Sequence, residues 1–130
     1  MNEENQDKRV LIVGLDPAVV DYSRVQVPGL TRESLTKALD AAEAELKGMG
    51  YRVRMLFIDA GETAEAVVRQ ALERDTYDCI MIGAGVRVSP DHFLLFERLI
   101  NLVHRHTAPT VTICFNTRPD DSVAAVLRWL

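Results

Sequence analysis

The sequence predicts a three-layer α/β domain in which helices cover both faces of a doubly wound, parallel, four-stranded sheet. Four apolar runs of strand length alternate with four stretches of helical periodicity, a pattern typical of parallel sheets. Two of the runs have a continuously apolar centre, as strands buried on both faces do. The chain of 130 residues is long enough to bury one core, so we expect a single domain over residues 1–130.

The predicted strands are, in chain order, Arg9–Leu15, Arg52–Asp59, Tyr77–Gly83 and Thr110–Asn116. Residues 10–13 and 80–82 are entirely apolar, so we expect the first and third strands to lie at the centre of the sheet. Because crossovers between parallel strands are right-handed, the commonest doubly wound solution has the strand order 2-1-3-4.

The first helix is predicted by apolar residues at helical spacing, with Thr31 as its N-cap. These apolar residues are Leu35, Leu39, Ala42, Leu46 and Met49. The second helix is predicted over about Glu62–Asp75. The third begins at Ser89, where a cap residue precedes a proline, and runs to about His106. The last runs from Pro119 or Asp120 to Leu130.

This arrangement resembles the flavodoxin-like and response-receiver-like folds, reduced to four strands, over nearly the whole chain. It also resembles small uncharacterised bacterial proteins of the same architecture, which implies no activity. The functional motifs of these folds do not match. The first strand is followed by Asp16-Pro17-Ala18-Val19 instead of the Ser/Thr/Gly-rich turn that cradles a flavin phosphate, and the third lacks a terminal aspartate for phosphorylation. No P-loop occurs either, so we predict no cofactor.

The loop after the first strand is the main departure from an ordinary α/β unit. It extends from Asp16 to Leu30, about fifteen residues, whereas such connections usually take about 2 to 6. In the order 2-1-3-4 the strand order reverses between strands one and three, and ligands bind at the carboxyl ends of the strands there. We therefore expect a crevice between this loop and residues 83–89, with the loop as a lid or shaping wall.

Polar side chains and glycines at the carboxyl ends of the strands form the predicted ligand site. They are Asp16, Tyr22, Ser23, Arg24, Asp59, Glu62, Gly83, Gly85, Arg87, Ser89, Asn116 and Arg118. Arg87 is the first candidate for holding an anion, because it lies between a Gly-Ala-Gly turn and a helix start. The alternative is that Arg87 forms a structural ion pair with Asp16 or Asp59, and Asp59 itself is a candidate cap of the second helix.

Three functions are compatible with this site. The first is binding of a small anionic metabolite in the crevice. The second is a protein-interaction module, in which the apolar third helix is the functional surface. The third is a small hydrolase or lyase with Asp16, Asp21 or Asp59 as general base. His92 is a further acid–base candidate, with a solvated residue at a helix start as the alternative.

Net charge, the cysteines and the N-terminal residues limit the partners and the cellular compartment that we expect. The net charge of −4 and the absence of a Lys/Arg cluster argue against nucleic acid and anionic membranes as partners. No metal-ligand spacing occurs, and Cys79 and Cys114 each lie in an apolar strand, as small buried residues do. The acidic residues 1–7 have no apolar segment of a secretion signal, so we expect a frayed lead-in and a cytoplasmic protein.

The third helix carries more apolar residues than one core-facing stripe requires, and the fourth strand is an uncharged edge. We therefore predict a homodimer that buries one or both of them. The alternative is that the C-terminal helix, with Trp129, covers this surface within one chain. Light scattering at micromolar concentration checks this prediction: we expect twice the 14.6 kDa of the chain, and a monomeric mass would contradict it.

Overall fold

A computed structural model describes residues 7–25 and 27–130. Residues 1–6 of the lead-in predicted over residues 1–7 and Gln26 of the long loop lie outside these ranges. The elements are β1 Arg9–Leu15, α1 Arg32–Gly48, β2 Arg52–Ile58, α2 Ala64–Arg74, β3 Cys79–Ile82, α3 Ala84–Arg87, α4 Phe93–His106, β4 Thr112–Phe115 and α5 Ser122–Leu127, with 3-10 turns at Pro90–His92 and Pro119–Asp121.

The strand order is β2-β1-β3-β4 and all neighbouring strands are parallel, which confirms the predicted topology and its consistency with flavodoxin-like folds. The central pair is also confirmed, because residues 10–13 of β1 and all four residues of β3 are buried. Val13 is level with Ile82 in the register, and β1 continues for Gly14 and Leu15 beyond the end of β3. This step at the carboxyl edge shapes the site.

Two apolar cores lie on opposite faces of the sheet, so the molecule has three layers. On one face, alternate residues of β1 and β3 such as Leu11 and Ile80 pack with α2 and α4. On the other face, Val10 and Met81 pack with Leu46 of α1 and with α5. Alternation of side chains along each strand produces this division.

The helix starts agree with the prediction at α1 and differ from it before α4. Thr31 caps α1 as predicted, and Ser34 completes a capping box. The predicted Gly-Ala-Gly turn forms the start of the short helix α3, with Gly83 as N-cap. Ser89 accepts a hydrogen bond from the Asp91 amide as predicted, but the first turn after it is 3-10 and the α-helix begins at Phe93.

The apolar surplus of α4 is confined to its first turn. Phe93 and Leu94 are 60% and 61% exposed, whereas Leu99 is fully buried. The alternative of an intrachain cover is wrong for α4, because α5 packs on the opposite face of the sheet, against β3 and β4, and Trp129 is itself exposed. Arg128 donates a hydrogen bond to the Phe115 carbonyl, which occupies one acceptor at the end of β4. The homodimer stays a prediction.

A pair of leucines on α4 tests this packing. Leu99→Ala removes a fully buried side chain and leaves a void, so we expect it to lower the free energy of unfolding by about 2–5 kcal/mol. Leu94→Ala, on the exposed side of the same helix, controls for the change in helix propensity and is expected to cost less than about 0.5 kcal/mol. Urea denaturation measures both, and equal costs would contradict the assignment of the buried face.

Candidate functional site

A cavity of about 400 Å³ opens at the carboxyl ends of β1 and β3, where the strand order reverses. Its walls come from β1, the long loop, α1, the segment between β3 and α4, and the segment after β4. The residues that line it are Gly14, Leu15, Val19, Val20, Asp21, Arg24, Val25, Val27, Pro28, Leu30, Leu35, Leu39, Gly83, Ala84, Gly85, Val88, Ser89, Asp91, His92, Asn116, Thr117, Arg118 and Pro119. The predicted position of the crevice therefore coincides with a real cavity.

The floor of the cavity follows from the step between β1 and β3. The Gly83 amide donates to the Val13 carbonyl at 2.8 Å, and the chain then leaves the sheet as α3 while β1 continues for two residues. A Cβ at Gly83 would lie 3.4 Å from that carbonyl oxygen, at the near limit of ordinary contact, so β1 passes close to Gly83. At Gly85 a Cβ would meet only the side chain of Leu15, at 3.7 Å, which is ordinary contact.

The long loop is held in place by its own hydrogen bonds and by one ion pair. The Tyr22 hydroxyl donates to the Pro17 carbonyl at 2.7 Å, and burial, the largest influence, raises the pKa of Tyr22. Asp16 accepts a hydrogen bond from the Ala18 amide and shapes the turn. Arg24 pairs with Asp91 through two contacts of 3.0 and 3.3 Å. That pair joins the loop to the turn that precedes α4.

Asn116 connects the segments after β3 and β4. Its Oδ1 lies 2.7 Å from the Ala84 amide, and since an amide N–H only donates, this contact fixes which side-chain atom is the oxygen. Nδ2 therefore faces Ser122, whose hydroxyl accepts at 3.0 Å and donates in turn to the Pro119 carbonyl. Asn116 and Ser122 are 5% and 1% exposed, so these bonds are shielded from water.

Arg87 lies outside the cavity lining. It donates to the main-chain carbonyl of Asn116 at 2.8 Å, and its guanidinium carbon lies 5.7 Å from the centroid of the Phe115 ring. Its Nε is buried and has no partner among the described residues. The predicted alternative of an ion pair with Asp16 or Asp59 does not form within the described part of the chain. In the structure Arg87 fastens α3 to the end of β4.

The structure brings together only part of the predicted site. Six of the predicted ligand-binding residues line the cavity: Arg24, Gly83, Gly85, Ser89, Asn116 and Arg118. Asp21, predicted as a possible base, lines it as well. Asp16 borders a separate shallow depression with Pro17 and Arg32, whereas Tyr22 and Ser23 hold the loop together. Asp59 and Glu62 follow β2, on the far side of β1 from β3.

The aspartates proposed as bases are engaged in local hydrogen bonds. Asp59 accepts bonds from Thr63 and Gly61, which lower its pKa and hold the turn before α2, in agreement with a capping role. Bonds from the Ser23 hydroxyl and amide lower the pKa of Asp21. A lowered pKa makes a carboxylate a weaker base at neutral pH, which disfavours both as general bases.

His92 lies at the rim of the cavity. Its Nδ1 is 3.2 Å from the Gly85 carbonyl, an acceptor, so the neutral ring carries its proton on Nδ1 and leaves Nε2 as an acceptor. Within residues 7–25 and 27–130, no group of three or more His, Cys, Asp or Glu side chains is arranged to hold a metal ion. At the rim, His92 therefore offers its Nε2 as a hydrogen-bond acceptor.

The aliphatic walls are the part of the site that the sequence-based prediction missed. Val19, Val20, Val25 and Leu30 belong to the long loop, and Leu35 is one of the apolar residues that predict α1. A signal for them was present, because a solvated loop rarely carries so many aliphatic residues. Their number indicates a loop whose aliphatic side chains face the protein and line a cavity.

The chain matches no known protein family and no curated protein sequence. Among the described residues, no helix has both the length and the apolar character needed to cross a membrane.

Asn116→Ala tests the connection between the two segments. It leaves the Ala84 amide and the Ser122 hydroxyl without their buried partner, so we expect the free energy of unfolding to fall by about 1–3 kcal/mol. Asn101→Ala, on the exposed surface of α4, is the matched control and is expected to change it by less than about 0.5 kcal/mol. A loss for Asn116→Ala no greater than that of the control, in urea denaturation, would contradict the connecting role.

Proposed function

We propose that the protein binds a small organic molecule in the cavity at the carboxyl ends of β1 and β3. The observation that carries this proposal is the cavity itself, about 400 Å³ at the switch point of the sheet. Small-molecule sites in proteins are mostly apolar concavities of about 300–1,000 Å³ with a few polar groups, and they favour switch points. The aliphatic walls and polar rim of this cavity fit that description.

The apolar walls provide the driving force for such binding. Val19 is 44% exposed and Leu35 is 9% exposed, so the wall runs from solvent into the interior. Each Å² of apolar surface that a ligand removes from water contributes about 25 cal/mol. Asn116, Thr117 and Arg118 form a polar end of the cavity after β4, and Arg24 and Asp91, which also line the cavity, are paired with each other. The ligand's polar group belongs at that end.

The sequence predicts an anionic ligand with Arg87 as the residue that holds it. The structure changes the choice of residue. Since Arg87 points its guanidinium at Asn116 and Phe115, the group that would meet a ligand's anion is Arg118 instead. Arg118 uses Nε for Asp120 at 2.8 Å, and its terminal nitrogens make no hydrogen bond within the described residues. We therefore assign the polar end of the ligand to Arg118 and Asn116.

A second candidate function is protein interaction through the first turn of α4. The exposed Phe93 and Leu94 directly follow the rim residue His92 and support this alternative. A second copy of the chain is the partner we propose.

We also propose that the protein works in the reducing cytoplasm. Cys79 and Cys114 are free thiols, both buried, with their Sγ atoms 3.5 Å apart on neighbouring strands. Free thiols this close are typical of a reducing compartment.

A thermal-shift screen with carboxylic acids, amides, alcohols and phosphate esters tests the binding proposal. We expect at least one compound to raise the melting temperature, since saturation at 100 times the dissociation constant stabilises a protein by about 2.7 kcal/mol. Gly85→Leu places a side chain against Leu15 in the cavity and is expected to abolish the shift. Gly48→Leu, at the exposed end of α1 with nothing near its Cβ, should retain it.

Two results would contradict the proposal. One is a screen in which no compound changes the melting temperature of the unmodified protein. The other is a shift that survives in Gly85→Leu while that variant remains folded by circular dichroism, because the compound would then bind elsewhere.

A further inference from the structure

Asn116 has one hydrogen-bond donor to spare at the cavity. The side-chain amide carries two N–H groups, and among the described residues only one has an acceptor, the Ser122 hydroxyl. The oxygen already accepts from Ala84. Asn116 is only 5% exposed, and it lines the cavity. A buried donor without a second partner favours a ligand that brings an oxygen acceptor.

The charges around the cavity are already balanced. Among the described residues that line it, the ionised groups are Asp21, Arg24, Asp91 and Arg118, two of each sign. Arg24 is paired with Asp91. Arg118 is paired with Asp120, which adds a further negative charge beside the cavity. A ligand with two negative charges would find no unpaired cation there.

The main-chain amides after β4 are also committed. The amides of Thr117 and Arg118 both donate to Asp121, at 2.9 and 3.2 Å, and the Thr117 hydroxyl donates to the same carboxylate. Phosphate sites usually cradle the anion with several converging main-chain N–H groups. Here the protein's own aspartate takes those donors, so the loop offers no such cradle.

From these three observations we infer that the cavity selects an apolar molecule with a single carbonyl-type oxygen acceptor, neutral or singly charged, and rejects phosphate esters. The acceptor receives the spare N–H of Asn116, and in a carboxylate its charge faces the terminal nitrogens of Arg118. The apolar part lies against the valines and leucines of the walls. This inference rests on the proposed binding function and adds the chemical class of the ligand.

Three compounds with the same six-carbon chain separate the classes: hexanamide, hexanoate and hexyl phosphate. We expect hexanamide or hexanoate to raise the melting temperature of the full-length protein, and hexyl phosphate to leave it unchanged at the same concentration. A shift from hexyl phosphate equal to or larger than the others overturns the inference but leaves the binding function intact. If none of the three compounds changes the melting temperature, the inference is also overturned. The binding function is contradicted only by the two results given for it above, an entirely negative screen or a shift that survives in folded Gly85→Leu.

A pair of variants separates recognition from folding. Asn116→Asp keeps an oxygen for the Ala84 amide but replaces the spare donor with a negative charge, so we expect at least a tenfold loss of affinity for hexanamide by calorimetry. Asn101→Ala, on the exposed surface of α4 and outside the cavity lining, is the control and should bind within twofold of the unmodified protein. Unchanged affinity in Asn116→Asp would overturn the role of Asn116. If that variant does not fold, the comparison of the three compounds still tests the inferred ligand class.

Discussion

The structure of the site depends on hydrogen bonds that converge on one buried residue, Asn116. Its side chain accepts from the first amide of α3, and its main-chain carbonyl accepts from Arg87 at the last position of α3. Both ends of this four-residue helix are therefore tied to the end of β4. A helix this short has little stability of its own, so its position is set by these contacts. Through Ser122 the same residue also anchors the turn before α5.

The cavity is a consequence of this arrangement. β1 is two residues longer than β3 at the carboxyl edge, and at Gly85 of α3 the missing side chain leaves open the space beside Leu15. The long loop closes the open side, held by the pair of Arg24 and Asp91. An exposed ion pair of this kind contributes at most about 1 kcal/mol, so the hydrogen bonds within the loop and the packing of Val20 on the core contribute to its attachment as well.

The topology could be predicted from the sequence because a strand that is buried on both faces appears as a continuous apolar run. Residues 10–13 and 80–82 show it, and the cap at Thr31 depends only on its neighbours in the chain. The position of the crevice followed from the topology. The role of Arg87 could not be predicted, since it depends on Phe115 and Asn116, which are distant in sequence and adjacent only in the folded sheet.

The central claim is that a ligand occupies the cavity between the long loop and the segments after β3 and β4. Amide NMR spectra of the ¹⁵N-labelled protein, titrated with hexanamide, test it most directly. We expect the largest shift changes at residues 83–89 and 116–118 and in the side-chain amide of Asn116. Changes confined to Phe93, Leu94 and Trp129, with the Asn116 amide unmoved, would contradict it.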